Sequence, residues 1–145
     1  MLLRRRSDKA DVLKKVPLLS GFSQHDLDLI ARVADEVKVD AGRVLTRQDG
    51  LGLEFLLILD GGARVERDGN VIARLGPGDF FGEMSLIDGK PRSATVIADS
   101  PAVLLVVEAR SFRKLLDAVP GLQRKVLITL CGRLRAADAS LASIN

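Results

Sequence analysis

The sequence predicts a mainly β domain with helices at both ends. Three observations carry this. Ten of the 13 glycines lie between Gly42 and Gly89. The stretches between them are short and rich in β-formers. The two ends instead place apolar residues at helical spacing. Short strands with turn signals every ~8–12 residues read as a sandwich or barrel of antiparallel strands. The expected architecture is therefore an antiparallel β-roll of jelly-roll type.

Each element has a local reason. Ser23 stands three residues before Asp26, in the manner of a capping box. Leu27, Ile30, Ala34 and Val37 then keep helical spacing, so a helix is expected there. Strands are expected over Glu54–Leu59, Ala63–Arg67, Val71–Leu75, Ser93–Ala98 and Val103–Val107. Asp60-Gly61-Gly62 is a turn, and Asp68-Gly69-Asn70 is a hairpin turn whose residues tolerate positive φ. Ser111–Ala118 reads as a short helix halted before Pro120. Leu122, Val126, Leu130, Leu134, Ala137, Leu141 and Ile144 then step by three or four, one apolar stripe on a helix of ~20 residues. The expected division is a basic arm over 1–9, then one domain over 10–145. That domain has a helical start (10–37), a β-roll (38–108) and C-terminal helices (109–144).

Composition narrows the functional classes. The chain has 145 residues, enough for one domain with its own core. Its net charge is +3, but residues 1–15 alone carry +4 and the remainder −1. The body is thus near neutral, which argues against a nucleic-acid-binding face. One cysteine, Cys131, permits no internal disulfide and suits the cytoplasm. It is expected as a small buried hydrophobe beside the C-terminal stripe. No apolar run reaches membrane-spanning length. Three arginines follow the apolar Leu2-Leu3 pair, the reverse of a secretory leader. One histidine, His25, is expected in solvent at a helix start; it excludes multi-histidine metal sites and most nucleophile–histidine triads. No metal, no cofactor and no catalytic residue are expected.

The informative stretch runs from Gly76 to Val96: GPGDFFGEMSLIDGKPRSATV. Its glycines permit tight turns and close backbone approach to a ligand. Glu83–Ile87 is long enough for one helical turn whose free N–H groups favour an anion. Arg92 adds a planar cationic fork suited to phosphate oxygens. Glu83 repels phosphate but can accept a hydrogen bond from a sugar hydroxyl. Phosphate beside a ribose hydroxyl describes a nucleotide.

This stretch resembles the phosphate-binding cassette of the cyclic nucleotide-binding domain family, F-G-E-x-[SA]-L-x(n)-P-R-[SAT]-A-[ST]-V. The match is complete from Phe81 to Val96. With about ten constrained positions it is far more specific than a lone glycine motif. The resemblance extends over roughly residues 10–140. Val16–Ser23, the glycines of 50–54 and Ile58–Gly61 look like the family's first helical element and early turns. Val119-Pro120 and the long stripe look like its last two helices.

The resemblance implies a role for each position. Glu83 accepts the ribose 2′-hydroxyl, helped by the Gly82 backbone. Arg92 pairs with the cyclic phosphate. The N–H groups of Ser85 and Ser93 complete the cradle, and Met84 and Ala94 line it. Val65 and Leu75 form the apolar wall under the base. The last helix is a lid, with Arg133 projecting onto the base in the absence of any Trp or Tyr. Phe80 and Phe81 are expected in the core. Asp49-Gly50 stands in swapped order against many members, which leaves open whether Asp49 orients Arg92. Leu56 replaces a frequent tyrosine.

The expected function is reversible binding of a cyclic nucleotide, without chemistry, read out by movement of the C-terminal helix. cAMP is expected ahead of cGMP, because members selective for cGMP often carry threonine where Ser93 stands; serine is compatible with either. The expected partners are the nucleotide and an effector, either a protein in trans or a second copy through the last helix. A transcription factor would need roughly 60 further residues for a DNA-binding helix pair, and the sequence stops at Asn145. A metal-dependent jelly-roll enzyme would need several histidines. The remaining alternatives are an interaction module on the same fold, or the regulatory domain of a channel or kinase.

Overall fold

The structure is a computed structural model that describes residues 6–144, with side chains over 9–137. Helix α1 (Arg6–Leu13) leads through a short turn at Pro17–Leu19 into α2 (Gln24–Val33). Eight strands follow: β1 (Asp35–Val39), β2 (Val44–Thr46), β3 (Glu54–Asp60), β4 (Ala63–Arg67), β5 (Asn70–Leu75), β6 (Phe80–Phe81), β7 (Thr95–Ala98) and β8 (Ala102–Glu108). Helix α3 (Glu83–Asp88) interrupts them between β6 and β7, and α4 (Ala109–Ala118) and α5 (Leu122–Ile144) close the chain. The strands form two antiparallel four-stranded sheets, β1-β8-β3-β6 and β2-β7-β4-β5. This is the expected β-roll with flanking helices.

The central strands explain themselves. β3 reads Glu-Phe-Leu-Leu-Ile-Leu-Asp, nearly apolar throughout, because both its faces are covered. Leu56 and Ile58 join Phe81 and Leu104 between the sheets. Phe55 and Leu57 face the helices, in one core with Leu13, Leu27, Phe112 and Val126. Phe55 stacks on Phe112 with ring centroids 4.5 Å apart and planes 12° apart. The β4–β5 hairpin turns where expected, with Asp68 at φ 52° and Gly69 at φ 82°, but Asn70 already belongs to β5, so the turn has two residues rather than three.

Several local expectations shift. Ser23 caps α2, accepting from the Asp26 N–H at 3.1 Å. The helix nevertheless stops at Val33, and Val37 lies in β1 opposite Leu104. Pairing with β8 overrides the helical spacing, and the strand layer starts at Asp35 rather than 38. At the other end, α1 begins inside the segment read as an arm. Ala10 and Leu13 are fully buried, and Lys9 Nζ donates to the Ala34 carbonyl at 2.8 Å. Arg4 and Arg5 lie outside the described residues.

The stripe on α5 divides. Leu122 and Val126 are buried, but Leu134 is 63% exposed and residues 131–137 face solvent. Cys131 is therefore exposed, not buried, because the helix has already left the body. The side chains of Leu141 and Ile144 lie outside the described residues. No helix of the described residues is long and apolar enough to cross a membrane. His25 is exposed, and Phe80 and Phe81 are buried, as expected.

Candidate functional site

The site is built on β6, which pairs with β3 through Leu56–Phe81 and Leu57–Phe80. The core thus fixes the strand that delivers Gly82. That glycine has φ 92°, and a Cβ there would meet Arg92 Nη1 at 2.4 Å and the Glu54 carbonyl at 2.6 Å. Both backbone conformation and space require glycine. α3 starts at the next residue and ends at Gly89, also at positive φ. Ser85 is buried beneath Gly52, where an added Cβ would lie 2.1 Å from the Ser85 Cβ. This packing role of Gly52 is invisible in the sequence.

Arg92 is buried, 7% exposed. Its Nη1 donates to the Gly82 carbonyl at 2.7 Å and its Nη2 to the Glu54 carbonyl at 2.6 Å. Burial lowers its pKa, opposed by the charges of Glu54 and Glu83. The link to Asp49 is main-chain. The Asp49 N–H donates to the Arg92 carbonyl at 2.8 Å, and the Arg92 N–H to the Gly50 carbonyl at 2.9 Å.

Glu83 is 2% exposed. Burial raises its pKa, against the opposing pull of its own backbone N–H and of Arg133 and Arg92. Its Oε1 accepts from Arg133 Nη1 at 2.9 Å, while Oε2 has no hydrogen-bond partner. Arg133 Nη2 donates to the Phe80 carbonyl at 2.5 Å, and the guanidinium carbon lies 4.7 Å from the centroid of the Phe80 ring. The sequence put Arg133 over a base. The structure shows its guanidinium bonded to the buried Glu83 carboxylate within the same cavity.

All ten residues singled out in the sequence line one cavity of about 580 Å³. Of these ten, Glu83, Ser85, Arg92 and Ala94 are buried. Val65 and Leu75 are half-buried, and Met84 and Ser93 are exposed at its rim. Arg133, with Ala136 and Ala137, brings α5 across the opening. Sequence reasoning missed Arg67, which also lines the cavity and donates from Nε to the Ser93 carbonyl at 3.1 Å. Its place two residues beyond Val65 on the same strand was the available signal. Among the described lining residues, three arginines face one carboxylate, so the cavity favours an anion. No cluster of metal-ligating residues occurs among the described residues.

The cyclic nucleotide-binding domain model matches residues 36–119. A cAMP-dependent protein kinase regulatory subunit from Schizosaccharomyces pombe is 35% identical over 122 residues, covering 83% of this chain and 30% of that protein. A cGMP-dependent protein kinase, isozyme 1, from Drosophila melanogaster is 33% identical over 134 residues, covering 85% of this chain and 17% of that protein. The chain spans less than a third of the length of these relatives. Among solved structures, the Thermus thermophilus catabolite activator protein superposes with a TM-score of 0.78. It is 30% identical, over 88% of this chain and 62% of that one. The matched region holds both sheets, the cassette and all of the cavity's lining except its α5 residues, and on that ground the chain belongs to the cyclic nucleotide-binding domain family.

Proposed function

We propose that this domain is a cAMP sensor whose output is the position of α5. The observation that carries the reading is the pairing, in one cavity, of buried Arg92 with a carboxylate that still has an open oxygen. Arg92 takes the cyclic phosphate, with the N–H groups of Ser85 and Ser93. Glu83 accepts the ribose 2′-hydroxyl on Oε2, beside the Gly82 backbone. Val65 and Leu75 form the wall under the purine, and Met84 and Ala94 close the sides. cAMP is favoured over cGMP because Ser93 stands where family members selective for cGMP often carry threonine. Binding involves no reaction.

The transmission step follows from the shared carboxylate. Arg133 holds Oε1 and the ribose takes Oε2, so ligand and α5 meet on Glu83. A ligand moves an equilibrium only by its differential affinity for the two arrangements. Here that difference is the strength of the Arg133–Glu83 bond with and without the ribose hydroxyl. α5 then acts on an effector, either a separate protein or a second copy of this chain. The named kinase relatives favour a protein kinase as that effector, in the cytoplasm.

Arg92→Ala tests the reading. One charged hydrogen bond is worth ~1.5–3 kcal/mol, so cAMP affinity should fall by ~10-fold to 150-fold or more. Circular dichroism checks that the β-roll persists. Unchanged affinity in a folded variant contradicts the assignment.

A further inference from the structure

The β4–β5 hairpin carries the apolar wall of the cavity, formed by Val65, Ala73 and Leu75. Its outer end has little hold on the sheet. β5 is an edge strand, and β4 pairs with β7 only from Ala63 to Glu66, where Glu66 stands opposite Thr95. Beyond that pair the tip is tied to the body by side chains. Gln48 grips it at both ends of its amide. Nε2 donates to Asp68 Oδ1 at 2.9 Å, and Oε1 accepts from the Asp68 N–H at 2.9 Å. The Gln48 N–H also donates to Thr95 Oγ1 at 2.9 Å, where the ladder ends.

The two residues after Gln48 hold a different part of the cavity. The Asp49 N–H and the Gly50 carbonyl take the main chain of Arg92 between them. One short loop therefore grips the apolar wall with a side chain and the buried arginine with its backbone. Asp49 at φ 66° and Asp68 at φ 52° are the only non-glycine residues at positive φ among the described residues. One follows Gln48 and the other is its partner. Such conformations are costly for L-residues and persist where the surroundings fix them. An amide suits this post and a carboxylate does not. Its donor meets the Asp68 carboxylate while its acceptor meets the Asp68 N–H.

We propose that Gln48 is a positioning residue of this cavity, setting the place of the apolar wall relative to Arg92. The proposal rests on the cyclic-nucleotide reading above. Gln48 does not line the cavity and acts through Asp68. Without the tie the hairpin relaxes away from the base, while the Asp49 and Gly50 backbone keeps Arg92 in place.

The test is calorimetric titration of the full chain with cAMP, at a temperature where circular dichroism shows every variant folded. Gln48→Ala removes both side-chain bonds and should weaken cAMP about 3-fold to 10-fold. Gln48→Glu should weaken it further, because it sets a second carboxylate against Asp68. Adding Asp68→Asn to Gln48→Glu returns a donor to the pair, in a residue type that tolerates positive φ. That double variant should bind within about twofold of the unsubstituted chain. A tie that serves stability alone would lower the melting temperature and leave the affinity of the folded variants unchanged, which overturns the proposal. So would a double variant that binds no tighter than Gln48→Glu. Failure of the unsubstituted chain to bind cAMP overturns the parent reading, and this proposal falls with it.

Discussion

Glu83 concentrates the cost of this site in one residue. Its carboxylate is buried with one oxygen bonded and the other open. Burial raises its pKa above the ordinary carboxylate value. A carboxyl whose folded pKa exceeds its unfolded one binds a proton more readily when folded. Stability from this group is therefore present at low pH and lost as pH rises through the raised value. The proposed function runs the opposite way, because both the proposed ribose contact and the Arg133 pair need the anion. cAMP affinity should therefore decline on acidification, beginning above the pH at which an ordinary carboxyl titrates. Glu83→Gln should bind more weakly at neutral pH and lose this slope. Titrations across the pH series check it; an identical slope in the variant contradicts the role given to Glu83.

At the scale of elements, α5 is held unequally along its length. Leu122 and Val126 anchor its start in the core. Beyond Leu130 the described residues are exposed, Arg133, Ala136 and Ala137 reach the cavity rim, and the bonds to the body are those of Arg133 to Glu83 and to the Phe80 carbonyl, with its contact on the Phe80 ring. Local opening free energies follow such differences in buried contact. Arg133→Ala should therefore raise amide hydrogen exchange over residues 130–137 while leaving residues 122–126 and the β3–β8 pairing protected. Hydrogen exchange with mass spectrometry reads this directly. Unchanged protection after Leu130 contradicts the tether.

The elements also separate what a sequence can say from what it cannot. β4 and the long C-terminal helix were readable because patterning and turn chemistry agree with the tertiary structure. Val37 was misread because its spacing from Ala34 fits a helix, while its pairing with Leu104 lies 67 residues away in the chain. β6 has two residues, too few for any period, and exists because Phe80 and Phe81 pair with β3. Cys131 was misplaced because an apolar stripe does not say where its helix departs from the core. The cassette was legible almost whole, since one run of chain supplies its glycines, carboxylate and arginine. The Arg133–Glu83 bond spans 50 residues and no local pattern encodes it.

For the whole molecule, two sheets and the helices packed against them hold an anion-favouring cavity beside α5. None of the described residues that line that cavity comes from the basic segment 1–15; its described charged lining is three guanidinium groups and one carboxylate. The central claim is that this cavity binds a cyclic nucleotide. Isothermal titration of the full chain with cAMP, and in parallel with cGMP, tests it most directly. The account predicts saturable binding with one site per chain, tighter for cAMP. No heat with either nucleotide at concentrations up to about millimolar, corresponding to less than ~4 kcal/mol of binding free energy, would contradict it.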